Sequence, residues 1–262
     1  MKKLLSNLIP LIMLFFLIGT GCEPKNAPDN SLQKIEEKGY FVIGLDEHFP
    51  PMGFRDDIGE IVGFDIDLAK SAVEKMGLDV RFKPVKWEDI ILKLNDKDID
   101  VIWNGLSVTD ERAEQIAFSD VYLANRQIII VPENSGINSS RDLEGRITGV
   151  QAGSSSEQIS NDELLTQVVR YSNNAAALSA LNSGEIDAVV MDELTGRFYL
   201  TRQYGNFQIL EEYLAEEFYA VGFRKADDAL RNELNKILAQ MKEDGSAAEI
   251  SQKWFGKDIL VK

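Results

Sequence analysis

From residue 40 onward, short apolar runs alternate with longer segments in which apolar residues recur at helical spacing. The short runs are rich in Ile, Val and Phe and are continuous, which is typical of strands that are buried on both faces. In the longer segments, apolar residues three and four positions apart predict amphipathic helices. The first half of this pattern predicts strands at residues 41–44, 80–85 and 99–103, a helix at 64–76, and a further helix beginning at 90–94.

The same alternation restarts after residue 124. It predicts strands at 128–131, 147–150 and 186–191, and helices at 157–168, 175–181, 227–244 and 247–254. Alternating strands and helices build a mostly parallel sheet, so we expect an α/β fold. Two such sheets predict two α/β lobes joined by two crossing strands, near residues 122–127 and 217–222, with a ligand cleft between the lobes. Lobe 1 would comprise residues 32–124 and 217–262, and lobe 2 residues 125–216.

The first 21 residues have the pattern of a secretory signal peptide. Lys2 and Lys3 precede an apolar run at residues 8–18, which is too short to span a membrane. Small residues then lead to Cys22, the only cysteine, so no disulfide can form within the chain. Residues 22–31 are polar and contain two prolines, which predicts a flexible tether. For Cys22 the alternatives are a lipid attachment site, a free thiol or part of an uncleaved anchor.

Charge and composition exclude several function classes. The chain carries a formal net charge of −15, which makes nucleic acid an unsuitable partner. The only histidine, His48, cannot build a metal site by itself, a Ser-His-Asp arrangement would have to use it as the base, and no cofactor is expected. The 262 residues are enough for two domains that each bury a core.

Residues 100–112, DVIWNGLSVTDER, carry the most chemical information in the chain. An apolar run ends in Asn104, Gly105 and Ser107, which offer close backbone approach and polar donors. Arg112 adds a planar set of donors that matches two carboxylate oxygens. The segment therefore suits a carboxylate site, but it equally suits a strand, a turn and a helix start, with Thr109 as N-cap and Arg112 in solvent.

This segment resembles a signature of the polar amino-acid family of bacterial extracytoplasmic solute-binding proteins, which supply ABC importers. The resemblance continues through seven further motifs in order, and it spans nearly the whole chain from residue 32. The motifs are GLDEHFPPMGF (44–54), IVGFDIDLAKSAVEKMGL (61–78), VKWEDIILKLNDKDIDVIW (85–103), IAFSDVYL (116–123), VQAGSSSEQ (150–158), LNSGEIDAVVMDE (181–193) and GSAAEISQKWFG (245–256).

The resemblance implies the periplasmic-binding-protein-like fold, and it implies a monomer that passes a free amino acid to a membrane-embedded permease. The N-terminal segment resembles that of the lipoprotein form of the family. This resemblance implies that Cys22 carries the lipid and anchors the protein to the outer face of the cytoplasmic membrane. The ligand would have a polar or cationic side chain, with cystine as a further option. Two other function classes stay open. One is an enzyme on the same scaffold, in which Glu47 and Asp192 would act as acid and base, and the other is a ligand-sensing module.

The resemblance also implies a set of ligand contacts. Arg112 would pair with the α-carboxylate of the ligand, helped by Ser107 and Ser154, and Asp192 would bind the α-ammonium group. Strand ends in α/β sheets face the ligand cleft, and helix N-terminal amides favour an anion. The expected contacts are Asp46, Phe49, Trp87, Asn104, Gly105, Ser107, Arg112, Gly153, Ser154, Ser155 and Asp192. Met52 and Trp103 depart from the usual family residues, and we expect Trp103, like Trp87, to face the cleft.

Overall fold

The structure is a computed structural model, and it describes residues 29–164, 166–202 and 205–262. The expected signal peptide, Cys22 and most of the tether lie outside the described residues. The first helix begins at Ser31, one residue before the predicted start of lobe 1. Within the described residues, no helix is both long enough and apolar enough to cross a membrane.

The described chain contains short strands and helices in alternation. The strands are β1 (Tyr40–Leu45), β2 (His48–Phe49), β3 (Gly53–Arg55), β4 (Ile61–Val62), β5 (Asp79–Pro84), β6 (Val101–Ile102), β7 (Ala117–Phe118), β8 (Leu123–Pro132), β9 (Ile147–Gln151), β10 (Gln167–Tyr171), β11 (Ala188–Asp192), β12 (Phe207–Tyr219) and β13 (Gly222–Phe223). The α-helices are α1 (Ser31–Lys38), α2 (Phe64–Lys75), α3 (Ile90–Asn95), α4 (Asp110–Gln115), α5 (Ser155–Glu163), α6 (Asn174–Ser183), α7 (Glu193–Thr201), α8 (Asp228–Glu243) and α9 (Ser246–Phe255). Short 3₁₀ helices lie at Trp87–Asp89 and Ser140–Leu143.

The first lobe is built on a five-stranded sheet with the order β5-β1-β6-β13-β7. Strand β1 pairs in parallel with β5 and β6, whereas β13 pairs antiparallel with β6 and β7. Helices α2 and α3 pack on this sheet, α8 and α9 pack against α2, and α1 packs against α8 and β1. Both faces are covered, because Phe41 and Ile43 lie in a different apolar cluster from Ile90 and Ile102. A small sheet, β2-β3-β4, extends from the end of β1.

The second lobe is built on a sheet with the order β10-β9-β11-β8-β12. Strand β9 is parallel to β10 and β11, and β8 is antiparallel to β11 and β12. Side chains of β8 alternate between two cores, with Ile128 and Ile130 on the α6 face and Ile129 and Val131 on the other. This alternation explains why the sequence of β8 is a continuous apolar run.

Two long antiparallel strands, β8 and β12, connect the lobes. Their register pairs Leu123 with Tyr219 and Gln127 with Ala215, and the pairing continues to the far end of the second lobe. At the first lobe, Tyr219 forms a bridge with Ser107. The predicted architecture, two α/β lobes joined by two crossing strands, is confirmed.

The predicted helix at residues 157–168 is wrong in its second half. Helix α5 starts earlier, at its N-cap Ser154, and ends at Glu163, and the following Val-Val-Arg-Tyr segment forms strand β10. That strand pairs in parallel along the full length of β9. Two adjacent β-branched valines favour a strand, and a sheet partner that satisfies their backbone outweighs the weak helical spacing.

Candidate functional site

A small cavity lies where the strand ends of the two lobes face each other. Its volume is only about 10 Å³, and most of the predicted ligand residues line it. The lining comprises Phe49, Trp87, Asn104, Gly105, Ser107, Arg112, Gln151, Ser154, Ser155 and Asp192. Asp46 and Gly153 do not line it, although both contact residues that do. The lobes touch across this cavity, since Arg112 and Gln151 each donate a hydrogen bond to the opposite lobe.

Arg112 is a buried cation, and no acidic side chain among the described residues lies within 4 Å of its guanidinium. Its side chain lies on α4, where Thr109 caps the helix by accepting from the Arg112 amide at 3.3 Å. The residue is only 8% exposed, which excludes the arrangement with Arg112 in solvent. Nη1 donates to the Ser107 carbonyl at 2.9 Å, and Nη2 reaches across the cleft to the Gly153 carbonyl at 3.1 Å. Burial lowers the pKa of the guanidinium, but an arginine stays protonated, so this group attracts an anion.

The N-terminus of α5 faces Arg112 from the second lobe. Ser154 is the N-cap; its hydroxyl accepts from the Glu157 amide at 3.1 Å and donates to the Gln151 carbonyl at 2.7 Å. The hydroxyl proton of Ser154 is therefore already engaged. The first-turn amides that follow it, beginning with Ser155, have no acceptor within the helix and suit an anion.

Gly153 allows this close approach of the two lobes. Its φ of 75° is in the left-handed region that glycine favours. A Cβ at Gly153 would lie 2.7 Å from the Cα of Glu88 in the first lobe. Any larger residue would therefore push the lobes apart at the point where Arg112 bonds to Gly153.

Asp192 lies opposite, at the end of β11, and three side chains hold it. Oδ1 accepts from Asn125 Nδ2 at 2.5 Å, from the Tyr219 hydroxyl at 2.8 Å and from Gln127 Nε2 at 3.1 Å. Burial, followed by the nearby charge of Glu217, raises the pKa of Asp192 to about 7. The carboxyl group is thus in a position where a cation would strongly favour its charged form.

Glu217 is a buried carboxylate that the sequence analysis missed. It lies on β12, and its Oε2 accepts from Ser107 Oγ at 2.7 Å, Gln127 Nε2 at 2.8 Å and Ser155 Oγ at 3.2 Å. The available signal was its position in a predicted crossing strand. Residues of a crossing strand that face inward must meet the cleft, and Glu217 and Tyr219 share one face because side chains alternate along a strand.

Asp46 follows β1 and is linked to the second lobe through Gln151, another residue that was missed. Gln151 Nε2 donates to Oδ2 of Asp46 at 2.6 Å, and the His48 amide donates to Oδ1 at 2.9 Å. Burial raises the pKa of Asp46, an effect that these hydrogen bonds oppose. Asp46 therefore lies behind Gln151 at the edge of the cavity, and its role as a ligand contact stays a prediction.

Phe49 and Trp87 form one wall of the cavity. Their rings are parallel within 4°, with centroids 6.5 Å apart, and the Arg112 guanidinium lies 5.7 Å from the Trp87 ring. Gly105 sits behind Phe49 with a φ of 55°, and a Cβ there would lie 2.6 Å from Phe49 Cε1. Only glycine fits this position without moving the wall.

Trp103 and Met52 do not line the cavity. Both are fully buried in the core of the first lobe, where the ring of Trp103 lies 6.5 Å from that of Tyr122. The prediction that Trp103 faces the cleft is wrong, because side chains alternate in direction where β6 ends. Its neighbour Asn104 points to the cavity, and Trp103 points to the core.

Asn104 and Gly105 are held in place by the first lobe. Asn104 Oδ1 accepts from the Asp46 amide at 3.0 Å, which ties the ends of β1 and β6 together. The Gly105 amide donates to Oδ2 of Asp65 at 2.6 Å. Asp65 is completely buried at the start of α2, and burial raises its pKa to about 7. The hydrogen bonds of Asn104 and Gly105 therefore fix the position of the backbone that leads to Ser107.

The described residues contain no cluster of three or more metal-ligating side chains. Glu47, the acid that an enzyme would pair with Asp192, instead accepts from Arg55 Nε at 2.6 Å within the small sheet. Asp192 in turn is surrounded by Asn125, Gln127 and Tyr219. The structure therefore brings Asp192 and Arg112, from opposite lobes, to the same cavity. Glu47 is not part of that cavity lining.

Comparisons with known proteins agree with this geometry. Residues 41–257 match the family model of bacterial extracellular solute-binding proteins, family 3. The chain is 29% identical over 236 residues to the L-cystine-binding protein TcyJ of Escherichia coli (strain K12), covering 89% of each. It is 30% identical to the arginine-binding extracellular protein ArtP of Bacillus subtilis (strain 168), covering 97% of this chain and 98% of that protein. A substrate-binding protein of an ABC uptake transporter from Streptococcus pneumoniae with bound histidine has a TM-score of 0.86 and 35% identity, covering 89% of this chain and 99% of that one.

Proposed function

Because the chain belongs to the bacterial extracellular solute-binding proteins of family 3, we propose that it captures a free amino acid and delivers it to an ABC importer. One observation carries the proposal. A buried guanidinium from one lobe, Arg112, and a buried carboxyl group from the other, Asp192, line the same cavity. An amino acid is a zwitterion, so it satisfies both groups at once.

The α-carboxylate of the ligand pairs with Arg112 and with first-turn amides of α5, beginning with Ser155. The α-ammonium group binds Asp192. Because these groups belong to different lobes, the ligand completes its contacts only when the lobes close, and closure removes both charges from water. Ligand binding and hinge closure about β8 and β12 are thus one event.

The side chain of the ligand lies along Phe49 and Trp87 toward Asp46. An aromatic wall and an acid suit a cationic group through cation–π contact and pairing, and they also suit a polar neutral group. Relatives with similar sequences are named for binding cystine or arginine, and one similar structure holds histidine, which supports this ligand class. We therefore propose an amino acid with a polar or cationic side chain, with cystine included.

We propose further that the protein is a monomer held at the outer face of the cytoplasmic membrane by lipid on Cys22. Small residues directly before Cys22 and the polar segment after it support this proposal. One acyl chain binds membranes only marginally, so two or more should be present. A Cys22→Ala variant should move from the membrane fraction to the soluble fraction. If it stays entirely with membranes, the anchor is something else.

Catalysis or sensing on the same scaffold remains the alternative, and the position of Glu47 weighs against the acid–base pair. A thermal-shift screen of the mature protein over the amino acids and cystine tests the proposal. A ligand at about 100 times its Kd should stabilise the fold by about 2.7 kcal/mol. Mass spectrometry of the ligand released afterwards should return it unchanged, whereas a chemically altered ligand would identify an enzyme. If no amino acid shifts the melting temperature, the proposed function is wrong.

A further inference from the structure

Glu217 stands apart from the other cleft acids because it contacts both lobes and both crossing strands. It belongs to β12, and its Oε2 accepts from Ser107 of the first lobe, Ser155 of the second lobe and Gln127 of β8. No lysine or arginine lies within 4 Å of it among the described residues. A buried carboxylate held only by neutral donors fixes the direction of every one of those donors.

The hydroxyl groups of Ser107 and Ser155 each carry one proton. A carboxylate accepts hydrogen bonds and cannot donate them, so the Ser107 proton points at Glu217, and the Ser155 proton points at Glu217 Oε2 at 3.2 Å or at Ser107 Oγ at 3.4 Å. In either case both hydroxyl groups keep lone pairs for the cavity. Both side chains line the cavity together with Asp192, so their hydroxyl groups offer acceptors there.

The neutral donors around Asp192 are engaged in the same way. Ser156 Oγ donates to Gln127 Oε1 at 2.7 Å, which orients the amide so that its NH₂ group faces the acids. That group donates to Asp192 at 3.1 Å and to Glu217 at 2.8 Å, and Asn125 donates to Asp192 at 2.5 Å. The amide groups of Asn125 and Gln127 and the Tyr219 hydroxyl therefore point at carboxylates and not at the cavity.

We propose that Glu217 is a positioning residue that makes this end of the cleft selective for an amino group, by turning Ser107 and Ser155 into acceptors beside Asp192. The inference deepens the proposed function and rests on it. An ammonium group has three N–H donors, and Asp192, Ser107 and Ser155 supply three acceptors. A hydroxyl group in the same place has one donor, so it leaves buried acceptors without partners.

The first test measures this selectivity directly. Calorimetry compares L-histidine with its 2-hydroxy analogue imidazole-lactate, and L-arginine with argininic acid, for the parent protein and Glu217→Gln. We expect the preference for the amine to fall about tenfold or more in Glu217→Gln, because its amide can donate and no longer fixes the serine protons. Glu217→Asp keeps an acceptor-only group and should retain most of the preference. A preference within about threefold of the parent in Glu217→Gln overturns the proposal.

The second test needs no ligand, so it separates a failure of this inference from a failure of the proposed function. The carboxyl group of Asp192 is titrated by carbon-13 NMR in the free protein. The charged or titratable groups facing it are Glu217, Arg112 and Tyr219, and the charge of Glu217 raises the Asp192 pKa. In Glu217→Gln the Asp192 midpoint should move to lower pH. An unchanged midpoint overturns the proposal even if the parent binds neither amino acid.

Glu216→Gln is the matched control for both tests. It makes the same substitution one residue earlier on β12, where the side chain is exposed, accepts from the Tyr213 hydroxyl at 3.3 Å and lies 3.6 Å from Arg126. It should leave the amine preference and the Asp192 midpoint unchanged. If Glu216→Gln alters both as strongly as Glu217→Gln does, the effect is general charge removal and the proposal is wrong. A merely structural role for Glu217 would weaken both members of each ligand pair equally and leave their ratio unchanged.

Discussion

Replacing Arg112 with alanine is the most direct test of the proposed site. The structure shows why this side chain should matter more than any other. It is buried, it spends two donors on the carbonyls of Ser107 and Gly153, and among the described residues it has no acidic partner within 4 Å. Its remaining donors face the cavity. Among the described residues that line the cavity there is no second arginine or lysine, so a ligand carboxylate would depend on Arg112 for its charge partner.

The expected loss follows from leaving that carboxylate buried and unpaired. Removing one partner of a buried ion pair costs about 3–5 kcal/mol. Each 1.4 kcal/mol is about a factor of ten in affinity, so Arg112→Ala should weaken binding by roughly two to three and a half orders of magnitude. Arg112→Lys should fall between the two, because it keeps the charge and loses the planar two-donor geometry.

Isothermal titration calorimetry with the ligand from the thermal-shift screen measures this loss. The fold should survive, since Arg112 lines the cavity and is not part of the apolar core of the first lobe. Arg146→Ala is a suitable control. It removes an arginine that is half exposed and paired with Asp187, at the start of β9, whereas the cavity lies at the end of β9. If folded Arg112→Ala binds within about threefold of the parent, the assignment of Arg112 is refuted.

Three further outcomes follow from the same geometry. Amino-acid affinity should fall as pH drops below about 7, approaching tenfold per pH unit, because the ligand ammonium must displace the proton that Asp192 holds with a pKa of about 7. Calorimetry from pH 8 to 5 measures this dependence, and an affinity that does not change with pH contradicts it. Gly105→Ala should abolish measurable binding while the protein stays folded, since the added Cβ would lie 2.6 Å from Phe49, and parent-like affinity would show that the wall is not used. Ligand binding should change the fluorescence of Trp87, and the Trp87→Phe variant should lack that change. Small-angle scattering should show a smaller radius of gyration of the protein when ligand is bound, and identical dimensions would count against closure.

The fold could be predicted from the sequence to the extent that periodicity and burial agree. Continuous apolar runs gave β1, β8 and β11 because strands covered on both faces need apolar residues at every position. The predicted helix at residues 157–168 was wrong in its second half because it was based only on the spacing of apolar residues. Val168 and Val169 fit a helical stripe, but pairing of β10 along β9 satisfies more backbone groups than an extension of α5.

The site could be predicted in part, and two of the missed residues, Gln127 and Glu217, share a physical reason. Residues such as Arg112 and Ser154 lie at strand ends or helix starts, where sequence position alone indicates exposure to a cleft. Gln127 and Glu217 lie inside the crossing strands, where the direction of each side chain depends on register. Their inward orientation follows from the pairing of β8 with β12, which includes a register shift near Tyr213 that no local pattern in the sequence reveals.

The balance of charge in the closed cleft explains why a ligand should favour closure. Asp46, Asp192 and Glu217 are buried, and among the described residues Arg112 is the only buried arginine. Burying several acids near one cation is costly unless further positive charge arrives, and the raised pKa values of Asp46 and Asp192 express that cost. An α-ammonium group offsets it at Asp192, and a cationic side chain would offset it again near Asp46. A zwitterion with a neutral side chain brings positive charge only to Asp192. The cleft should therefore close more completely around a ligand that carries net positive charge.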